Sequence, residues 1–331
     1  MKVLSLFSGC GGLDLGFHKA GFNIIWANDI DKEATETYKK NIADHIVHSD
    51  IYDIKKEDLP EEDIDIIMGG FPCLGFTIAK GKHRVVHDEQ NFLYKEYVRI
   101  LSYKKPKYFL VENVPGMMRG EKFRKFFAQM IKDFENEGYR VKHTILNSAD
   151  YGVPQKRKRV IILGTRNDIK IEPNFPIPIL SEKEYITLQD AISDLPLEYS
   201  DEVPDHEGSN HKVKINNYLG NRPLKWNAPS PTILGRGSRS GGAVIHPHPN
   251  LHRRLSVREC ARLQSFPDDF IFVGSKGAKY AQIGNAVPPL FAYFIALEFK
   301  KLFKDDVDIT IPFKLPWIDK LKEKINSKLF L

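Results

Sequence analysis

The chain has 331 residues, of which 42% are hydrophobic, 28% charged and 11% aromatic, with 49 basic against 43 acidic side chains. That excludes a disordered tail or a small disulfide scaffold and leaves room for a sizeable core plus a smaller second domain. There is no apolar run long enough for a membrane span and no secretory leader before the first apolar strand. The three scattered cysteines (Cys10, Cys73, Cys260) suit neither a disulfide framework nor a zinc site, so a soluble, intracellular enzyme is expected.

In chain order, short apolar runs predict strands at 2–7, 23–28, 45–49, 63–70, 108–111, 141–147 and 159–165, several of them separated by amphipathic helices. The clearest helix covers 121–137, where Phe123, Phe126, Phe127, Met130, Ile131 and Phe134 share one face and Gly138 ends it. This alternation predicts an α/β fold with a doubly wound, mostly parallel sheet, whose ligands sit beyond the C-terminal ends of the strands. From about Pro196 to Arg254 the helical period is lost, and Pro, Gly, Asn, Ser and His become frequent. A small loop-rich domain inserted in the larger one is expected, with boundaries 1–196, 197–256 and 257–331. Helical pattern returns at 257–265 and 287–303, and 304–331 reads as a basic, partly amphipathic extension. Residues 221–262 carry eight basic side chains against one acid, Glu259, which suggests a docking surface for a polyanion; a solvated face is the plainer alternative.

The strand ends carry the chemistry. The first strand runs into Phe7-Ser8-Gly9-Cys10-Gly11-Gly12-Leu13-Asp14, whose glycines let a ligand approach the backbone. A dinucleotide fingerprint needs a third Gly where Asp14 stands; that carboxylate would repel a phosphate but suits a cationic ligand such as S-adenosylmethionine. Asp29 ends the second strand, where this fold class binds a ribose hydroxyl pair, and Asp50 ends the third, where it can accept from an adenine amino group while Ile30 and Ile51 pack on the ring. A strand-end Asp is also a common helix cap. The fourth strand ends in Gly70-Phe71-Pro72-Cys73, placing a candidate nucleophile before a polar loop, 80–90, that contains Lys80, Lys82, His83 and Arg84. A small core cysteine is the alternative, and it is the reading adopted for Cys10 and Cys260. Glu112, ending the fifth strand, is either a cap or a carboxyl able to protonate a ring nitrogen. Alternation in 155–159 points Arg157 and Arg159 the same way, to hold a carbonyl oxygen and nearby phosphates, unless the hairpin is merely solvated.

Together these segments resemble the bacterial DNA (cytosine-5)-methyltransferases of the restriction–modification type, over nearly the whole chain. The resemblance rests on six motifs in the family's order: 7–12, Gly70-Phe71-Pro72-Cys73, Glu112-Asn113-Val114, Gln155 to Arg159, Arg258 to Pro267, and Gly284-Asn285-Ala286-Val287-Pro288. It implies the S-adenosylmethionine-dependent methyltransferase fold and a target-recognition domain in the loop-rich insert. It also implies a cofactor pocket lined by Phe7, Gly9, Asp29, Ile30, Asp50, Leu93 and Asn285, with Ser8, Cys10, Gly11, Gly12, Leu13, Ile51, Pro72, Ala286 and Val287 around it. The implied mechanism flips a cytosine from duplex DNA. Cys73 attacks carbon 6, Glu112 protonates or hydrogen-bonds nitrogen 3, Arg159 holds the 2-oxygen, Arg157 is a further catalytic residue, and no metal takes part. Thr77, Lys82, Arg84, Arg236, Arg239, Arg253 and Arg254 are the expected DNA contacts. The sequence departs from the family at Leu74, where Gln is usual, and at Thr77, where Ser is usual. A monomer acting on one strand at a time, with a cognate restriction endonuclease as functional partner, is expected. The rivals are a tRNA cytosine-5 methyltransferase, a silent DNA-binding module and a nicotinamide-dependent oxidoreductase. The first is disfavoured by the long variable region, the second by the intact Cys73, Glu112 and Arg159, and the third by Asp14.

Overall fold

A computed structural model describes residues 1–72, 92–209, 212–216, 219–235, 245–304 and 310–329. Seven strands form one sheet: β1 (Lys2–Leu6), β2 (Asn23–Asp29), β3 (Ile46–His48), β4 (Ile66–Gly69), β5 (Tyr108–Asn113), β6 (Tyr139–Asn147) and β8 (Lys158–Arg166), in the order β3-β2-β1-β4-β5-β8-β6. The pairs from β3 through β5 are parallel, and β8 runs antiparallel to both β5 and β6. A two-residue strand, β7 (Gln155–Lys156), leaves this sheet to pair with β9 (Ser230–Pro231) from the loop-rich region. Each of the seven predicted strands is present, and the doubly wound, mostly parallel architecture is the one the alternation implied.

Burial alternates along the central strands, as a sheet covered on both faces requires. Val3, Ile66, Met68, Leu110, Ile161 and Leu163 pack into one core layer. Leu4, Leu6, Ile67, Phe109, Val111, Val160 and Ile162 pack into the other. The second layer is covered by α3 (Tyr94–Lys104) and α4 (Glu121–Asn136), whose aromatic face buries Phe126, Phe127, Met130 and Phe134. The first is covered by α1 (Gly12–Lys19) and α8 (Pro289–Lys300), while α2 (Lys32–Asn41) flanks the β2–β3 edge. Gly16 makes the α1–α8 approach possible, because a Cβ there would meet the Pro289 carbonyl oxygen at 2.6 Å. Short helices α5 (Leu188–Ile192) and α6 (Val257–Leu263), then α7 (Lys276–Asn285), complete this side.

Two regions differ from a reading of pattern alone. The tail joins the main core through Ile311, Phe313, Leu315, Trp317 and Leu321, and its helix α9 (Ile318–Leu329) follows a bond from Trp317 Nε1 to the Gly152 carbonyl at 2.9 Å. The stretch 197–256 has almost no regular structure among its described residues, and Leu224, Ile233 and Leu255 belong to the same core cluster as the sheet. Its backbone groups are satisfied by arginines. Arg254 donates to the carbonyls of Lys212, Gly220 and Ile245 and to Asn221 Oδ1, and Arg253 makes two 2.7 Å bonds to the buried Glu259. Arg258 serves the carbonyls of Pro204, Pro267 and Phe270, while Arg262 grips Asp268.

The polyanion surface expected over 221–262 is therefore corrected. Arg253, Arg254, Arg258 and Arg262 are all buried, with 7% exposure at most, and cannot meet a phosphate as they stand. Buried carbonyls without a ladder partner need a donor, and a guanidinium reaches several at once. Arg222 and Lys225 remain exposed, whereas Arg236 and Arg239 lie outside the described residues.

Candidate active site

The strand order reverses between β1 and β4, opening a crevice at the C-terminal edge of the sheet. On its β1 side the chain turns through left-handed conformations at Phe7 (φ 54°), Gly9 (φ 56°) and Gly11 (φ 90°). Such a φ is uncommon for a phenylalanine and marks backbone held for a purpose. Asp29 holds the turn, with Oδ2 accepting from the Gly9 N–H at 2.7 Å and Oδ1 from Asp31 N at 2.9 Å; burial raises its pKa. A Cβ on Gly9 would meet no heavy atom within 4 Å, so the turn is open on that side; one on Gly12 would run into the Val287 carbonyl. Residues early and late in the chain thus meet under one turn.

Asp50 caps the 3₁₀ turn Ile51–Asp53 by accepting from Tyr52 N at 3.1 Å, so the cap reading holds for it and leaves its other oxygen at the edge. Ile30 is 62% exposed beside these acids, whereas Ile51 is in the core. Leu13 is also a core residue, and Ser8, Leu93 and Ala286 are half-buried, with Asn285 exposed. Cys10 is buried, its sulfur 3.7 Å from the Gln282 carbonyl oxygen, and burial pushes its thiol pKa up, as it does for Cys260. Asp14 does not face a ligand. It is fully buried behind the turn, accepts from Ser5 Oγ at 2.9 Å and Tyr38 OH at 3.0 Å, and burial lifts its pKa to about 7. An Asp at that helix start can turn inward because two hydroxyls take the place of water.

At the β4–β5 side, Glu112 and Arg159 form a buried ion pair with Arg159 Nε 2.7 Å from Glu112 Oε1. They face each other because Glu112 sits on β5 and Arg159 on the neighbouring β8. Burial lowers the Arg159 pKa and the Glu112 charge opposes the shift. A Cβ on Gly70 would come within 3.2 Å of Glu112 Oε2, so the carboxyl lies directly against the strand tip that leads to Cys73. Asn113 Nδ2 donates to the Phe71 carbonyl at 3.1 Å, which fixes the last turn of backbone before Pro72. Phe71 packs among Phe7, Tyr94 and Tyr97 with centroid distances of 6.2–6.4 Å. Cys73, Leu74, Thr77, Lys82 and Arg84 lie outside the described residues.

Arg157 does not share a surface with Arg159. At 2% exposure, its guanidinium donates to the carbonyls of Ile233 (3.2 Å), Gly284 (3.0 Å) and Ala286 (2.8 Å). The expected role is corrected by these partners: three buried carbonyls take the guanidinium at the point where the chain passes from β7 to β8. Three polar residues were given no role by sequence reasoning. They are Asn113, Gln155, which donates to Gln264 Oε1 at 2.9 Å and accepts from Ile233 N at 2.9 Å, and Gln264, which donates to the Ile283 carbonyl at 2.6 Å. The only sequence signal was their position inside the motifs. At the junction of body and loop region, Lys156, Arg222, Asn227, Thr232 and His246 line a cavity of about 610 Å³.

Comparison with known proteins identifies the family. The sequence model for C-5 cytosine-specific DNA methylases matches residues 1–301. The chain is 41% identical over 337 residues to the type II methyltransferase M.NgoFVII of Neisseria gonorrhoeae, covering 93% of this chain and 88% of that one. It is 39% identical over 360 residues to the type II methyltransferase M.FnuDI of Fusobacterium nucleatum, covering 99% of each. Among solved structures, it is similar to one described as a DNA modification methyltransferase encoded within a prophage of E. coli, with TM-score 0.69, 27% identity, and coverage of 92% of this chain and 99% of that one.

Proposed function

Because this chain belongs to the C-5 cytosine-specific DNA methylase family, we propose how its own residues move a methyl group from S-adenosylmethionine to carbon 5 of cytosine in double-stranded DNA. The open face at Gly9, the acids Asp29 and Asp50 at neighbouring strand ends and the exposed apolar Ile30 fit an adenosine carrying no phosphate. Phe7, Ser8, Gly9, Asp29, Ile30, Asp50, Leu93 and Asn285 would hold it, with Gly11, Gly12 and Val287 supporting the turn. When bound, the cofactor supplies an electrophilic methyl on a cationic sulfonium, so no metal is required.

The observation that carries the reading is the buried Glu112–Arg159 pair set against the strand tip before Cys73. A cytosine in the stack is out of reach, so the base is extruded into this crevice. The Cys73 thiolate bonds to carbon 6, and Glu112, oriented by Arg159, holds a proton at nitrogen 3, which makes carbon 5 nucleophilic. Arg159 orients the base through its 2-oxygen. After carbon 5 is methylated, loss of its proton restores the double bond and expels the thiolate. Exposed Arg222 and Lys225 neutralise flanking phosphates, together with Arg236, Arg239, Lys82 and Arg84, and the Thr77 hydroxyl donates a hydrogen bond to one.

As in the type II systems that give the relatives their names, a cognate restriction endonuclease is the functional partner. The enzyme works as a monomer on DNA of the cytoplasm, since one chain carries every catalytic group named. A tRNA substrate is not favoured, because the matching relatives are type II enzymes over nine-tenths of the chain or more.

Incubation with methyl-labelled S-adenosylmethionine and either unmethylated phage λ DNA or tRNA tests this. Label in DNA alone is expected; label in tRNA alone, or in neither, overturns it. Cys73→Ser abolishes transfer and the adduct with a 5-fluorocytosine duplex, while Cys260→Ser keeps both. Glu112→Gln slows transfer by about 10²–10⁴-fold.

A further inference from the structure

The recognition region and the cofactor edge share a seam of backbone. A Cβ on Gly284 would meet Leu234 and Gly235 main chain, the Gly235 Cα at 2.6 Å, and one on Gly235 would strike the Asn285 side chain. Glycines on both segments therefore allow residues 233–235 to lie directly on residues 284–286. On the far side of that turn the Val287 carbonyl rests on Gly12, and the Gln282 carbonyl lies against Cys10. One layer of backbone thus separates 233–235 from the turn at 9–12. The chain beyond Gly235 leads straight into the stretch that contains Arg236 and Arg239.

One side chain spans the seam. Arg157 donates to Ile233 on the recognition side and to Gly284 and Ala286 on the cofactor side, and its Nε is buried without a partner. All three of its acceptors are carbonyls. A guanidinium buried on carbonyls alone is costly to desolvate, and its planar fork reads relative position in a way a lysine cannot. Gln155 and Gln264 form a second latch beside it, through Ile233 N and the Ile283 carbonyl.

We infer that Arg157 is a positioning residue that couples the recognition segment at 233–235 to the cofactor turn, so that DNA bound to the protein and cofactor bound at Gly9–Gly12 each raise the affinity for the other. By linkage the two enhancements are equal, and couplings of this kind typically amount to about 5–150-fold. The inference rests on the reading of the Gly9 edge as the cofactor site.

The test is binding, measured by calorimetry on the full chain with S-adenosylhomocysteine as probe, alone and with unmethylated phage λ DNA. In the wild type the DNA tightens the probe by about fivefold or more. In Arg157→Lys, which keeps charge but loses the fork, that factor falls to about one, while affinity without DNA changes by less than about threefold. A role confined to holding the fold would leave the ratio intact. Equal ratios in the two proteins overturn the inference alone; a wild type that does not bind the probe overturns the cofactor reading along with it. Should Arg157→Lys fail to fold, amide exchange on the wild type decides. The probe alone must slow exchange at Ile233 and Gly235, and unchanged exchange there overturns the coupling.

Discussion

The sheet and the loop-rich stretch 197–256 share a core but satisfy their backbones by opposite means. In the sheet, strand ladders take up nearly every donor and acceptor, and the polar side chains are free to gather at the C-terminal edge. In the loop region the ladders are sparse, and arginines from α6 and the segment before it help to fill in for them. Arg254 and Arg258 reach several carbonyls each, Arg253 the buried Glu259, and Arg262 the carboxylates of Asp268 and Asp194. The lesson concerns charge: a run of arginines beside a DNA-modifying site is not thereby a DNA surface. Carbonyls and carboxylates within the fold compete with phosphates for the same guanidiniums, and here they take four of the eight basic groups of 221–262.

The comparison breaks most visibly at Arg253. Arg253→Ala leaves Glu259 buried beside a neutral His248, and a loss of about 3–5 kcal/mol in chemical denaturation is expected. A drop below about 1 kcal/mol would mean that the loop region is not held by its arginines.

Titration separates the two regions in opposite directions. Asp14, beneath the sheet edge, takes its proton at about 7, against 3.8 when unfolded. The folded state therefore binds more protons over this range, and the Asp14 contribution to stability rises as pH falls from 8 to 5, by on the order of 2–3 kcal/mol. His246 and His248, buried in the loop region, have pKa values lowered to about 4 by burial. The unfolded imidazoles protonate first, so this contribution is present above about 6.5 and is lost as pH falls toward 4. Asp14→Asn removes the first slope and keeps the second, which pH-dependent melting of the two proteins measures. Identical slopes would place Asp14 in contact with water.

Within the sheet a missing side-chain bond matters less, because the ladder persists. Tyr97→Phe removes the hydroxyl donated to the Ile67 carbonyl at 2.9 Å, and a loss of about 1 kcal/mol is expected. Smallest in stability is Arg222→Ala with Lys225→Ala, within about 0.5 kcal/mol of wild type. Those changes act on DNA instead, flattening the plot of log affinity against log salt by about one unit for each phosphate the protein no longer neutralises. An unchanged slope would exclude both side chains from the interface.

The fold was largely legible because apolar runs of strand length are a local signal, and all seven strands of the main sheet carry one. Asp29 and Glu112 were legible for a related reason: a strand end fixes where its last residues sit. The inward turn of Asp14 was not, since it depends on Tyr38, which lies 24 residues on and in another helix. Nor were the partners of Arg157, because the carbonyls that take its guanidinium lie 76 to 129 residues further along the chain. The tail was opaque for want of a visible partner; Trp317 finds one at Gly152, 165 residues earlier.

The meeting of Gly12 with Val287 has a consequence for how the protein is made. The turn precedes the wall beneath it by most of the described chain, so a partly translated chain has half a pocket until Val287 is added. A product truncated before Val287 lacks that wall as well as the α8 helix that Gly16 admits. Such a fragment is expected to hold the turn at 9–12 without the backbone that packs beneath it.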